Sequence, residues 1–343
     1  MKDGVYYSDY LQLDKILGAQ ELESDKAGDH AHDEMLFIVI HQAYELWFKQ
    51  ILFEVSSVMN IMSQPNISDN SPDLFTVNHR LSRVVTILRV LVDQINIMET
   101  MTPLDFLDFR NRLRPASGFQ SIQFKLLEAH LGLRMDNRHG KAYYTSQLKP
   151  EDKKIIEDAE LTKPLIVLIN EWLERMPFFD KAEYWKGIGI EAGKHPFWKN
   201  YSAAYDASLV DGEKNNLIRF EELMFSDEKK EEWNLSSKAR RAALFIMMYR
   251  DYPLLQAPFQ LTNLLLEIDN CLSAWRFRHV NMVHRMIGNR TGTGGSTGKD
   301  YLQGALLKHY IFQEFAELTS FMIERNKLPQ LSHELKARLG FES

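Results

Sequence analysis

The run from about Asp33 to Met62, DEMLFIVIHQAYELWFKQILFEVSSVMNIM, contains neither glycine nor proline. As a helix it is apolar on more than one side, the pattern of a helix buried in the middle of a bundle. Two further long apolar patterns accompany it. Residues 74–99 carry Leu81, Val84, Val85, Leu88, Leu91, Val92 and Ile95 at helical spacing, and the stretch after Pro258 continues as one long apolar helix to Gly288, a suitable C-cap. Nothing reads as a strand, and no internal repeat appears at solenoid periods. The expected fold is all-α: a helical bundle on long buried helices at 33–62, 74–99 and 258–287.

Shorter signals fill in the order. Tyr6 to about Glu23 has Tyr10, Leu13, Ile16 and Leu17 at helical spacing, and QPNISDNSPD, residues 64–73, reads as a loop. Thr102-Pro103-Leu104-Asp105 is a helix start: an N-cap threonine, proline at the first helical position, an acid in the first turn. That helix reaches Arg110 and is broken by Pro115 and Gly118. Residues 119–131 continue as helix, 132–150 as an irregular polar excursion, 151–175 and 181–226 as further helical patterns. A helix from Ser236 is expected to stop at Pro253, and 300–326 and 331–340 supply the last two.

Composition narrows the function. The length of 343 residues exceeds the roughly 150 residues of a typical domain, yet the patterns form one all-α unit over 1–343. Within it, 1–24 is expected as an N-terminal arm and 131–235 as a helical excursion. A formal charge of −6 argues against nucleic acid or an anionic membrane as the partner. A single cysteine, Cys271, excludes an internal disulfide and paired-cysteine metal motifs and suits a reducing cytoplasm. No apolar run approaches the ~18 residues of a membrane span. Any metal must therefore be held by histidine and carboxylate, or arrive inside a cofactor.

The chemistry-bearing stretch is WRFRHVNMVHRMIGNRTGTGGSTG, Trp275–Gly298: a helix with two histidines, then a glycine- and hydroxyl-rich loop. His279 and His284 are five residues apart, about 140° around a helix, so they cannot both face one ion. Neither a HExxH motif nor a pair of Glu-x-x-His repeats is present. A lone helical histidine in apolar surroundings suits the proximal ligand of a b-type haem. His279 has Trp275, Met282, Val283 and Met286 on its face, with Trp275 a candidate restraint on the imidazole. His284 has Phe277, Val280 and Ile287, so periodicity alone barely separates the two. The loop lacks a GK[ST] ending, which makes a phosphate cradle a poor reading. It remains either a flexible linker or a lid whose Thr291, Thr293, Ser296 and Thr297 offer hydroxyls. His41 lies among Phe37, Tyr44 and Glu45, as either a core histidine or part of a site. Arg110, with Phe106 one turn behind it, is a candidate anion clamp.

HDEMLFIVIHQAYELWFKQILFE, LDFLDFRNRLRPASGFQSIQF and WRFRHVNMVHRMIGNRTGTGGSTG together resemble the tryptophan 2,3-dioxygenase family, as do YYSDYLQLDKILGAQELES and APFQLTNLLLEID. The resemblance spans about Tyr6 to Leu302 and is weakest between 131 and 235. It implies a cytoplasmic homotetramer with one haem b per subunit, inserting both atoms of O2 across the indole C2–C3 bond of L-tryptophan to give N-formyl-L-kynurenine. Carried over by motif, His279 is the proximal haem ligand, beside Trp275, and Thr293 is the loop threonine. His41 is the distal histidine, with Phe37 beside it, and Arg110 pairs with the substrate carboxylate. Ser117 and Gly118 lie near the haem's oxygen side, and Tyr7 and Tyr10 close a neighbouring subunit's pocket. Phe106 stands where some relatives have tyrosine, so a hydroxyl is missing there. The alternatives are an enzyme of broader indole specificity, like indoleamine 2,3-dioxygenase, and a haem-binding sensor without catalysis.

Overall fold

The computed structural model describes residues 4–65, 67, 71–133, 138, 148–176, 178, 195–226, 233–288, 290 and 309–340. Among them every regular element is an α-helix or a short 3-10 turn. The long helices are α4 (Glu34–Met62), α5 (Pro72–Met98) and, after two intermediate groups, α13 (Pro253–Ile287). Before them stand α1 (Tyr7–Leu11), α2 (Leu13–Leu17) and α3 (Glu23–Lys26). Between α5 and α13 come α6 (Pro103–Arg110), α7 (Ile122–Leu131), α8 (Pro150–Glu160), α9 (Leu165–Leu173), α10 (Pro196–Ser208), α11 (Asn215–Phe225) and α12 (Ser237–Met248). The chain ends with α14 (Gln313–Glu317) and α15 (His333–Leu339).

The core is the seam where α5 lies between α4 and α13. Leu81, Val84, Leu88 and Leu91 of α5 meet Leu261, Leu265, Ile268 and Leu272 of α13 and Ile51, Val55 and Val58 of α4, all essentially inaccessible. Each such side chain contributes roughly 1.5–3 kcal/mol by leaving water. The helix ends follow the local sequence. Ser71 accepts from the Leu74 N–H ahead of Pro72, and Thr102 and Asp105 form a reciprocal capping box ahead of Pro103. Gly288 ends α13 with φ +57°, its N–H donating to the His284 carbonyl at 2.9 Å. Gly132, at φ +121°, lets the end of α7 meet α9 so closely that a Cβ would lie 2.3 Å from Ile166 Cγ2.

Several boundaries differ from the expectation, each for a local reason. The N-terminal stretch is two short helices, because Gln12 takes a left-handed conformation, φ +52°, between them. The 151–175 pattern divides at Pro164, which precedes α9. The last long helix starts five residues early, at Pro253, with Pro258 inside it. Pro258 costs a hydrogen bond only to the second helical residue, and Asn78 Nδ2 from α5 donates to the neighbouring Ala257 carbonyl at 2.9 Å. The described part of 300–326 is not one helix. Phe312, Phe315, Leu318 and Phe321 are all buried, and their three-residue spacing suits the short α14 followed by a 3-10 turn at Leu318–Phe321. Helix α4 is not covered on all sides among the described residues. Val39, Leu46 and Phe53, at seven-residue spacing, are 46%, 53% and 71% exposed.

A buried ionic network ties the chain's return to the core. Glu128 of α7 accepts from Arg138 at 2.5 Å and from Arg276 of α13 at 2.7 Å, with His309 Nδ1 at 3.7 Å. Arg276 also donates to the His309 carbonyl, and Asp269 accepts from the Ile311 and Phe312 N–H groups. Burial opposes charge on Glu128, but Arg138, His309 and Arg276 outweigh it and hold the carboxyl well below its ordinary 4.5. Glu128→Gln is expected to cost about 3–5 kcal/mol in urea unfolding at pH 7, because it leaves buried guanidiniums uncompensated. A depressed carboxyl contributes stability above its unfolded pKa and loses it below, so the difference from wild type should be full above about pH 4.5 and shrink under it. Equal midpoints at pH 7 would overturn the assignment.

Candidate functional site

Three helices that are distant in sequence bring the candidate residues together. On α4, Phe37 and His41 are one turn apart, with ring centroids 4.2 Å apart. His41 Nδ1 lies 2.7 Å from the Phe37 carbonyl, which fixes that nitrogen as the proton donor and leaves Nε2 as an acceptor. The ring is accessible, yet enough protein surrounds it that desolvation lowers its pKa, against the pull of the Phe37 carbonyl and Glu45.

Helix α6 supplies the next wall. Phe106 and Phe109 lie 5.6 and 5.5 Å from Phe37, and 5.4 Å from each other edge to face. Arg110, at the end of the same helix, is only 4% exposed. Burial lowers its pKa, and Arg114 and Arg290 lower it further, so the guanidinium stands in a positive local field. Arg112 leaves this cluster for Asp29, at 2.5 Å, and the Asp108 carbonyl. The three arginines of the motif therefore divide by the direction each side chain takes. Arg290 joins them from beyond α13, which residue spacing had no means of indicating.

Helix α13 completes the arrangement. Met282, Met286 and Ile287 pack in a small cluster with Phe37, Ile40, Phe106 and Phe109, separate from the main core. One turn back, Trp275 and His279 stack with centroids 5.0 Å apart and planes 6° from parallel. His279 Nδ1 is buried with no hydrogen-bond partner among the described residues. Burial, then the proximity of His41, lowers the pKa of His279 to about 4, so the imidazole is neutral, the form that ligates a metal. His284 is exposed, which separates it from His279 where periodicity barely could. Five residues of helix turn one histidine inward and the other to solvent.

The remaining candidates fall elsewhere. The Ser117 hydroxyl caps a 3-10 turn at Gly118–Gln120, and a Cβ at Gly118 would meet nothing within 4 Å, so this backbone borders open space. Tyr7 and Tyr10 on α1 are each 74% exposed and are not brought to the candidate site of their own chain. Thr293 and the rest of the glycine-rich loop lie outside the described residues. No group of three metal-ligating side chains occurs among the described residues, and a cofactor is one source of the other donors for a metal at His279. A neutral imidazole turned among apolar and aromatic side chains fits a haem supplying them.

The model of the family described as tryptophan 2,3-dioxygenase matches residues 1–322. The chain is 42% identical to the tryptophan 2,3-dioxygenase of Alteromonas mediterranea, over 98% of this chain and 97% of that one. It is 40% identical to that of Dictyostelium discoideum, over 98% and 88%. To that of Rattus norvegicus it is 37% identical, over 96% and 85%.

A prediction follows from the hydrogen bond to the Phe37 carbonyl. In ligand-free protein, 15N NMR of the His41 ring at pH 7 should find Nδ1 protonated and Nε2 bare, with a midpoint below the ordinary 6.5. A cationic His41 at pH 7, or an Nε2–H tautomer, would contradict the geometry.

Proposed function

This chain belongs to the tryptophan 2,3-dioxygenase family, and we propose on that footing that it converts L-tryptophan and O2 to N-formyl-L-kynurenine with one haem b per subunit. The carrying observation is the family match along residues 1–322, together with His41, Arg110 and His279 converging from three helices. A bound haem supplies the dioxygen chemistry, which no side chain provides. His279 would hold the haem iron, its ring restrained by the parallel Trp275 ring. Ser117 and Gly118 would border the haem.

The substrate's parts correspond to distinct groups of the chain. The carboxylate takes the paired N–H donors of Arg110, with Arg114 and Arg290 reinforcing the positive field. The indole lies against Phe37 and the adjoining Phe106 and Phe109. Its N–H donates to His41 Nε2, the acceptor left once Nδ1–H is committed to Phe37. His41 positions the ring and does not deprotonate it, because an indole N–H is far too weak an acid. The ammonium takes the Thr293 hydroxyl and a haem propionate. The aromatic wall excludes water from the reacting carbons.

The same reading makes the enzyme a cytoplasmic homotetramer, with residues 1–343 as one domain and 131–235 as its variable excursion. One continuous hydrophobic core from α4 to α15 supports the single domain. The exposed apolar stripe Val39, Leu46 and Phe53 of α4 is the kind of surface a second copy covers. Val5, Tyr6, Tyr7 and Tyr10 form an exposed apolar arm, and Tyr7 and Tyr10 complete a neighbour's pocket. No described helix is long and apolar enough to cross a membrane.

The experiment is a ferrous absorbance spectrum under air, with and without L-tryptophan, followed for product. Haem without turnover favours a sensor, and equal turnover of tryptamine or D-tryptophan favours the broader indole enzyme. His279→Ala is expected to abolish haem retention while His284→Ala keeps it; the reverse pattern rejects the ligand assignment. Arg110→Ala should raise the tryptophan KM by well over tenfold, since deleting one partner of a buried charge pair costs about 2–5 kcal/mol. An unchanged KM removes Arg110 from the substrate.

A further inference from the structure

The surroundings of Trp275 contain one polar group that packing does not account for. Four rings box in the indole: His279 and Phe124 at 5.0 Å, Tyr44 at 6.1 Å and Phe48 at 6.5 Å. Phe48 and Tyr44 come from successive turns of α4 and stack on each other at 6.1 Å. Phe48 meets the indole edge with carbon alone. Tyr44 adds a hydroxyl, and that hydroxyl is buried enough to need a purpose.

Its proton is committed. Tyr44 Oη donates to the Leu91 carbonyl of α5 at 2.9 Å, which leaves the oxygen's lone pairs to accept. The candidate donor is Trp275 Nε1–H, buried and without a completed hydrogen bond among the described residues. The two groups are close enough to interact. Burial pushes the Tyr44 phenol up to about 12, with the Trp275 N–H and Arg278 pulling the other way. An unpaired buried N–H is costly, so a small rotation of the indole toward the oxygen is favoured. The indole cannot rotate alone, because its plane lies within 6° of the His279 imidazole.

We propose that Tyr44 is a positioning residue for the proximal histidine: its hydroxyl, anchored on the Leu91 carbonyl, accepts from Trp275 Nε1–H and so sets the plane of the indole on which the His279 ring rests. The relay runs from α5 through α4 to α13, and it fixes the imidazole by stacking. Most ligating histidines are fixed instead by a hydrogen bond at the second nitrogen. Here His279 Nδ1 has no such partner among the described residues, which leaves the stacked ring as its restraint. The assignment rests on His279 being the haem ligand, as proposed above.

The test is Tyr44→Phe, which keeps the ring and removes the hydroxyl, beside Trp275→Phe and the double variant. In ligand-free, 15N-tryptophan-labelled protein, the Trp275 Nε1–H resonance, assigned by its loss in Trp275→Phe, should move in Tyr44→Phe. This readout needs no haem, so it stands even if His279 proves not to be the ligand. In the haem-loaded protein, Tyr44→Phe should shift the iron–imidazole stretch in resonance Raman spectra and speed haem dissociation on the order of tenfold, the low end of the effect of an outer partner of a ligating histidine. Trp275→Phe should do the same, and the double variant should add little. An unmoved indole resonance, an unchanged stretch, or fully additive effects would overturn the relay. So would a lowered melting temperature as the only effect of Tyr44→Phe, since that assigns the hydroxyl to tying α4 to α5. A histidine signature absent from the wild type would overturn the ligand reading instead.

Discussion

The seam between α5 and α13 sets the position of nearly everything else. Helix α13 has 35 residues, about 52 Å at 1.5 Å per residue, and its buried face is committed to α5 along most of that length. Once that face is fixed, the helix has no rotational freedom left. Leu261, Leu265, Ile268 and Leu272 point into the seam, and Trp275, His279, Met282 and Met286 then follow the turns of the helix toward α4 and α6. The orientation of the candidate ligand is thus a consequence of apolar packing up to about five turns away. Arg278 reinforces it by donating to Glu99 and Asn96 at the far end of α5.

Charge is handled differently on the two sides of α13. On one side, Glu128 pairs with both Arg138 and Arg276, and Arg276 and Asp269 fix where the chain returns at 309–312. On the other side, around Phe37 and His41, Arg110 stands in the positive field of Arg114 and Arg290, and two neutral histidines lie by an aromatic wall.

Much of the site was legible as residue types and little of it as geometry. Phe37 and His41 were recognisable as one face of α4, because residues one turn apart share a face whatever surrounds them. Arg110 was recognisable from Phe106 behind it. The contribution of Arg290 was not, because it reaches Arg110 only once α13 has docked. Tyr44 looked like one more aromatic packing residue, and only the carbonyl of Leu91 and the indole of Trp275 give its hydroxyl a meaning. The arms that differed from expectation, at Pro258 and after Phe312, are places where a tertiary contact or a three-residue spacing outweighed a simple proline or helix rule.

From the sequence alone came the helical class, the caps at Thr102 and Gly288, the motifs that indicate the family, and the fact that His279 and His284 face different directions. Those are properties of spacing and local hydrogen bonding, which the chain carries wherever it goes. Which of the two histidines turns inward was decided only by tertiary structure, as were the desolvation of His279 and His41 and the convergence of α4, α6 and α13. The reason is physical: periodicity fixes the angle between two side chains on one helix, whereas burial, local dielectric and neighbouring charge exist only after helices have packed.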